Sequence, residues 1–233
     1  MVSFLRFASL PLVGVCIPFA LAAQLKVLTS NYGTDRTNAN LRETLLTPAN
    51  VNADRFGKVG SFPVDANIYA QPLYVPGVII AGVARNVVYA ATMNNTIYAI
   101  DADAPAETRP IWKVNLGPPV PPEVNDSDDT APATGILSTP VIDVERNAIY
   151  VVAEKHVKGT AAFYLHSIDL SNGTDKPGSP VEIKAIIDGG GETSVNGKIA
   201  FDAVMHLQRP GLLLANDKIY IAFGSHADNW PYH

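Results

Sequence analysis

The sequence predicts an all-β fold built from repeated antiparallel β-meanders, and three observations carry this prediction. Short runs rich in Val, Ile and Tyr alternate with turn residues between positions 71 and 101. The same order of proline, apolar strand and tyrosine returns from Pro72, Pro140 and Pro210, which lie 68 and 70 residues apart. Seventeen glycines and eighteen prolines supply the many turns that such a fold requires.

Each of the first two repeats contains four predicted strands. Asn94 and Asn95 lie between the second and third strands of the first repeat, where asparagine tolerates the left-handed backbone of a tight hairpin. The third repeat is expected to hold a strand at Lys218–Phe223. The predicted strands of the first two repeats are Leu73–Val75, Val87–Thr92, Thr96–Ile100, Ile111–Leu116, Ser138–Asp143, Ala148–Ala153, Tyr164–Asp169 and Val181–Ala185.

Four short antiparallel strands per repeated unit are typical of a β-propeller blade, which needs a neighbour on each face. We assign residues 69–134 and 135–207 to two blades and residues 208–233 to a partial third blade. Closed propellers use ~4–8 blades, so we expect about two and a half blades to be the N-terminal piece of a longer propeller or a truncated reading frame. A Greek-key sandwich, the alternative, does not explain why the elements return in the same order.

The first 23 residues are predicted to be a secretory signal. Arg6 provides the positive start, Leu10–Leu21 provides the apolar core, and Ala22 and Ala23 are small residues suited to cleavage. The apolar run is shorter than the ~20 residues of a membrane-spanning helix. We therefore expect a secreted or periplasmic protein without a membrane span. Residues 24–68 form a lead-in segment, in which Phe56–Asp65 is predicted to be a strand.

The charge and cysteine content argue against several classes of partner. The net charge is −5, or −6 without the first 23 residues, and no basic cluster is present, so neither nucleic acid nor an anionic membrane is expected to bind. Cys16 is the single cysteine and lies in the predicted signal. The remaining chain therefore depends on its core rather than on disulfides.

The segment between the first two repeats, residues 117–135, is rich in proline and acidic residues. Clustered carboxylates suit a calcium ion, but this segment lacks the glycine and the distal glutamate of a twelve-residue calcium loop. A solvated acidic insertion is the simpler interpretation.

The candidate binding residues lie near the end of the chain. Histidines and carboxylates close together can bind a transition metal or orient a substrate, although neither CxxC nor HxxxH is present. The alternative is a polar inter-strand loop. The candidate residues are His206, Arg209, His226, Asp228, Asn229 and His233.

Other polar residues of the repeats are expected to serve the fold. Asp101, Asp143 and Asp169 end predicted strands, where a carboxylate accepts hydrogen bonds from turn N–H groups. His156 and His166 are expected to be structural or surface residues, and Trp112 is expected to cover the outer edge of a blade.

Several segments together resemble a known family. YAQPLYVPGV, VVYAATMNNTIYAIDAD, STPVIDVERNAIYVVAEK and LQRPGLLLANDKIYIAFGSHADNWPYH are similar to parts of secreted bacterial proteins with pyrroloquinoline-quinone-like (PQQ-like) propeller repeats, a branch of the quinoprotein alcohol dehydrogenase-like superfamily. The resemblance implies a seven- or eight-bladed propeller, mostly without an assigned reaction. For the enzymes of that superfamily it also implies PQQ and calcium, with an adjacent cysteine pair and a Glu, Asn and Asp triad.

Two functional hypotheses follow. The first is an exported propeller that binds or scaffolds a protein or carbohydrate ligand and has no catalytic activity. The second is a PQQ-dependent oxidoreductase of alcohol or sugar dehydrogenase type, completed by further blades. The cysteine pair is absent after residue 23, and the calcium triad matches no positions of this sequence, so the first hypothesis is favoured. A metal-dependent lyase or hydrolase built on the final histidines ranks third.

Overall fold

The computed structural model describes residues 25–125, 127, 130 and 132–226. The predicted signal and the candidate residues Asp228, Asn229 and His233 lie outside them. The described residues confirm an all-β fold with several antiparallel sheets and one short helix. The elements are β1 Leu73–Ile80, β2 Val83–Ala91, β3 Thr96–Asp101, β4 Trp112–Asn115, α1 Pro122–Asn125, β5 Val141–Asp143, β6 Ala148–Val157, β7 Thr160–Asp169, β8 Val181–Glu182, β9 Ile186–Asp188, β10 Lys198–Ala200, β11 His206–Leu207, β12 Leu213–Ala215, β13 Lys218–Tyr220 and β14 Gly224–Ser225.

Two four-stranded meanders dominate the fold. Strands β1 to β4 pair in chain order to form sheet 1, and β5 to β8 do the same to form sheet 2. Asn95 adopts a left-handed backbone with φ 56° in the turn between β2 and β3, as predicted. Strand β1 continues past Pro76 through a register shift to Ile80, and the hairpin of β6 and β7 extends to a turn at Lys158 and Gly159.

The remaining strands form three small two-stranded sheets, β9 with β10, β11 with β14 and β12 with β13. We call residues 198–226, which contain the last two of these pairs, the third unit. Within it, β13 ends at Tyr220 rather than at the predicted Phe223. No closed barrel or propeller is formed by the part of the chain that the structure describes.

Sheet 2 is covered on both faces. Ile149, Val151 and Ala153 of β6 belong to a core shared with sheet 1. Val152 of the same strand belongs to a second core, with Phe163 and residues of the third unit such as Phe223. The side chains of β6 therefore lie in two different cores, because successive residues of a strand point to opposite faces of the sheet.

A pair of aromatic side chains joins sheet 1 to sheet 2. The Tyr89 hydroxyl donates to the Leu170 carbonyl at 2.9 Å, and the Trp112 indole N–H donates to the same oxygen at 3.0 Å. Gly173 follows in the same turn with φ 75° and lies beneath the Trp112 ring. Trp112 thus covers the junction between neighbouring sheets.

The strand-end aspartates organise the turns, as the sequence predicts. Asp101, Asp143 and Asp169 each accept a backbone N–H two residues ahead, at 2.8 to 3.0 Å. Each also pairs with a basic side chain, and for Asp143 this is Arg146 at 2.7 Å. The same turn chemistry is repeated in both sheets.

The lead-in segment ties the first strands of the units together. Val27 pairs with Tyr74 of β1, and the Leu28 carbonyl accepts the Ile142 N–H of β5 at 2.8 Å. The Arg36 guanidinium donates to the Leu212 carbonyl directly before β12 of the third unit, at 3.1 Å. The predicted strand at Phe56–Asp65 is wrong, because these residues pair with no neighbouring strand and instead form an irregular, largely exposed segment.

Among the described residues, no helix is long and apolar enough to cross a membrane.

Gly173→Ala is expected to destabilise the fold. A Cβ at this position would lie 2.6 Å from Cε3 of Trp112, and the positive φ adds backbone strain. Gly178→Ala is the matched control, because Gly178 has φ 86° and open space around its Cβ position. We expect Gly173→Ala to lower the free energy of unfolding by about 1–3 kcal/mol more than Gly178→Ala in urea titrations. Equal losses would show that the aromatic contact is not tight.

The stability that depends on Asp143 is expected to vary with pH. Burial opposes ionisation of this carboxyl, but the hydrogen bonds from Arg146 and Glu145 outweigh it and lower the pKa of Asp143 below its usual 3.8. A lowered folded-state pKa means that the stabilisation is present above the unfolded-state value and is lost as the pH falls through the folded-state value.

Asp143→Asn should therefore cost about 1–3 kcal/mol of unfolding free energy near neutral pH and progressively less at acidic pH. Asp217→Asn is the control, because Asp217 pairs with the same Arg146 from an exposed position. It should change stability by about 0.5 kcal/mol or less. Urea unfolding of both variants across pH tests this, and a difference between wild type and Asp143→Asn that is constant with pH would contradict it.

Candidate functional site

A buried polar cluster lies where sheet 2, the third unit and the segment between the first two repeats meet. Its central residue is Glu154 of β6, whose side chain is 1% exposed. Glu154 pairs across the sheet with Phe163, which packs against Phe201 and Phe223 of the third unit. Because cross-strand partners share a face, the carboxylate lies on the face of sheet 2 that meets the third unit.

Asn125 and His226 bring their side chains to this carboxylate. Asn125 ends helix α1, and its Nδ2 donates to Glu154 Oε1 at 2.8 Å and lies 3.2 Å from His226 Nε2. His226 follows β14, and its backbone N–H donates to the Met205 carbonyl. Its Nε2 lies 3.8 Å from Glu154 Oε1. We call Glu154, Asn125 and His226 the buried triad.

The buried triad has unused polar capacity. Asn125 Oδ1 and His226 Nδ1 have no hydrogen-bond partner among the described residues, and both side chains are nine-tenths or more buried. A buried polar atom without a partner costs about 1–3 kcal/mol. Such atoms in a folded protein therefore point to a missing water, ion or ligand.

The electrostatics of the triad follow from its burial. Removal from water raises the pKa of Glu154 above its ordinary value, and the contacts with His226 and Asn125 oppose this shift. Among the described residues, His226 is the ion-pair partner of the Glu154 carboxylate, and its imidazole carries a charge only when it is protonated. The Glu154 side chain can therefore be a neutral carboxylic acid, or a carboxylate whose charge is compensated by a bound cation.

Asn95 of sheet 1 holds the main chain beneath the triad. Its Nδ2 donates to the Glu154 carbonyl at 2.7 Å and to the Gly117 carbonyl at 3.3 Å. Gly135 packs so closely on the same turn that a Cβ would lie 2.2 Å from the Met93 carbonyl oxygen. One hairpin turn of sheet 1 thus contacts β6 at Glu154 and both ends of the segment 117–135.

That segment is not simply a solvated insertion. Asn125, Val120, Thr130 and Thr134 are buried, and the Val120 and Thr134 backbones pair as an isolated bridge. The acidic residues Asp126, Asp128 and Asp129 lie outside the described residues. The buried part of the segment is what contributes Asn125 to the triad.

The candidate residues from the sequence occupy different environments. His226 belongs to the buried triad. His206 is also buried, but its Nδ1 lies 2.6 Å from the Asp202 carbonyl and its ring lies 4.6 Å from that of Phe201. Arg209 is exposed. The structure therefore places His226 with Glu154 and Asn125, and it places Arg209 at the surface.

Sequence reasoning missed Glu154 and Asn125. The available signal was a glutamate within the apolar run AIYVVAEKHV, at a position on the same strand face as Tyr150 and Val152. A carboxylate on an otherwise apolar strand face indicates either that this part of the strand is exposed or that a buried hydrogen-bond or ion-pair partner contacts the carboxylate. The partner lies 29 residues away in Asn125 and 72 residues away in His226, so spacing does not reveal it.

A second buried histidine serves the junction of the sheets. His166 Nδ1 lies 2.9 Å from Asp175 Oδ1, which also accepts the Ser179 hydroxyl. Burial and the nearby Lys155 ammonium lower the pKa of His166, which keeps the ring neutral near pH 7. Lys155 itself lies 4.6 Å from the ring centre of Tyr164. These contacts indicate a structural role for His166.

The described residues do not fit a calcium–quinone site. They contain no cysteine, since Cys16 is the single one in the sequence, and no three His, Cys, Asp or Glu side chains converge among them. The triad offers one carboxylate and one amide oxygen, whereas the third member is an imidazole, which calcium does not favour.

No protein-family model, curated protein or solved structure matches the chain.

Asn95→Ala is expected to be strongly destabilising. It removes two donors to main-chain carbonyls and leaves a non-glycine residue at φ 56° without the amide that favours this backbone. We expect the free energy of unfolding to fall by about 2–4 kcal/mol, since each lost buried hydrogen bond costs about 1–3 kcal/mol.

Asn196→Ala is the matched control, because Asn196 is exposed in a turn with φ 53°. It reports the backbone effect alone, which should be about 1 kcal/mol. Urea unfolding followed by far-UV circular dichroism measures both. Similar losses for the two variants would show that Asn95 does not secure the end of β6.

Proposed function

We propose that this chain belongs to an exported β-propeller that acts as a binding or scaffold protein for a protein or carbohydrate ligand. Two features support the proposal: the predicted signal at residues 1–23 and the successive four-stranded meanders of the described residues. Its export, its propeller closure and its ligand are all parts of the proposal.

The observation that carries the proposal is the stacking of successive meanders. Sheet 2 is a four-stranded meander covered by sheet 1 on one face and by the third unit on the other. A blade inside a propeller is covered in this way. The first strands of sheets 1 and 2, and Leu212 directly before β12, also contact the lead-in segment through Val27, Leu28 and Arg36, as the strands of successive blades surround a central axis.

Exposed apolar side chains in the lead-in segment support a binding role. Leu41 and Val59 are 91% and 86% exposed, and Leu45 and Phe56 are also exposed. Contiguous exposed apolar patches mark surfaces that bind other molecules, and we propose that these side chains form such a patch. The strand-end aspartates, by contrast, are committed to turns and are not free for catalysis.

The proposal is tested by measuring quinone binding to the full-length protein without its signal. A binding or scaffold role predicts that PQQ with calcium produces no saturable change in intrinsic fluorescence or heat, while circular dichroism shows a folded β protein. Saturable one-to-one binding, with reduction of a dye by an alcohol or sugar, would replace the proposal with the oxidoreductase hypothesis. A known quinoprotein dehydrogenase serves as the positive control.

A crosslinking experiment tests whether the exposed lead-in residues form the binding surface. We expect photo-crosslinking groups placed at Leu41 or Val59 to capture a partner from the cell envelope of the host, whereas a group at exposed Lys218 of the third unit should capture less. Equal capture from all three positions would contradict the lead-in segment as the binding surface.

A further inference from the structure

We propose that the buried triad of Glu154, Asn125 and His226 is a binding site for a divalent transition-metal ion of the Zn²⁺ class. The inference rests on the triad itself and is independent of the proposed scaffold role. The three side chains come from β6, from α1 and from the residue after β14, so an ion here would join three segments that are distant in sequence.

The donor positions have the separations that such an ion requires. Glu154 Oε1 lies 2.8 Å from the Asn125 amide and 3.8 Å from His226 Nε2, and the amide lies 3.2 Å from that nitrogen. Metal–ligand distances of ~2.0–2.2 Å in a tetrahedral site place neighbouring donors ~3.4 Å apart. The three observed separations bracket this value, so one ion can contact all three positions after small adjustments.

The Asn125 amide supplies an oxygen by a half-turn about its terminal bond. This rotation exchanges Nδ2 and Oδ1 and places the oxygen against Glu154 and His226, where the nitrogen now lies. The rotation breaks the hydrogen bond that Nδ2 donates to Glu154 Oε1, and the contacts of the cation with Oδ1 and with the Glu154 carboxylate replace it. A cation then receives an amide oxygen, a carboxylate oxygen and an imidazole nitrogen.

Burial provides the second, independent observation. All three side chains are 4% exposed or less, and Asn125 Oδ1 and His226 Nδ1 are unpartnered within the described part of the chain. A buried carboxylate is costly unless a cation compensates it. A divalent ion supplies that compensation and gives the amide oxygen a partner.

The donor types select the class of ion. An imidazole nitrogen disfavours calcium and magnesium, which prefer oxygen ligands alone. An imidazole nitrogen with a carboxylate oxygen and no thiolate is a donor set that suits Zn²⁺. Because the ion joins three distant segments, its binding should stabilise the fold directly.

The test uses the full chain, free of affinity tags and stripped with a chelator. Titration calorimetry with ZnCl₂ should show one-to-one saturable binding and a rise in Tm, and CaCl₂ should produce neither. Glu154→Gln and His226→Gln should each weaken Zn²⁺ binding by at least about 10- to 100-fold. His156→Gln is the matched control, because His156 also lies on β6 but outside the triad, and it should bind Zn²⁺ as the wild type does.

Asn125→Asp is the variant expected to gain affinity, and far-UV circular dichroism verifies that it and the other variants are folded. It keeps the shape of the side chain and adds a second carboxylate, so it should tighten Zn²⁺ binding and increase the metal-dependent rise in Tm. The proposal is overturned if the wild type shows only weak, unsaturable binding, if Asn125→Asp leaves the affinity unchanged, or if His156→Gln weakens binding as much as the triad variants do.

Discussion

The packing of β6 between two cores is the constraint on which the rest of the structure depends. Ile149, Val151 and Ala153 face sheet 1, whereas Val152 faces the third unit, so residues 151–155 of this strand are buried on both faces of sheet 2. A strand buried on both sides removes much apolar area from water, and each methylene buried contributes about 0.8 kcal/mol. It also requires that every polar group near it find a partner.

The polar groups at the two ends of β6 meet this requirement in different ways. Near its start, the Leu170 carbonyl of the adjoining turn receives Tyr89 and Trp112 from sheet 1. At its far end, Asn95 secures the Glu154 carbonyl, and the Glu154 carboxylate depends on Asn125 and His226. The Leu170 carbonyl receives two donors at the first junction, whereas Asn125 Oδ1 and His226 Nδ1 at the second are buried without a partner among the described residues, next to a buried carboxylate. This combination makes the second junction the candidate site.

Local chemistry made much of the architecture predictable. The strands around Val87, Ile97 and Ile149 were predictable from β-branched runs, the turn at Asn95 from its tolerance of positive φ, and the role of Asp143 from its place at a strand end. The strand predicted at Phe56–Asp65 was wrong, since its weak alternation has no neighbouring edge to pair with. The extension of β1 past Pro76 was missed because proline interrupts the pattern.

The sequence by itself determined the antiparallel meanders, their repeat and their turns, because these depend on residues close together in the chain. Tertiary structure alone decided that Glu154, Asn125 and His226 meet. Their contacts span up to 101 residues, and a strand, a short helix and a chain end carry no shared local pattern that marks them as partners. Which polar groups become buried together depends on how the sheets stack, and that is settled by the packing of apolar side chains over the whole interface.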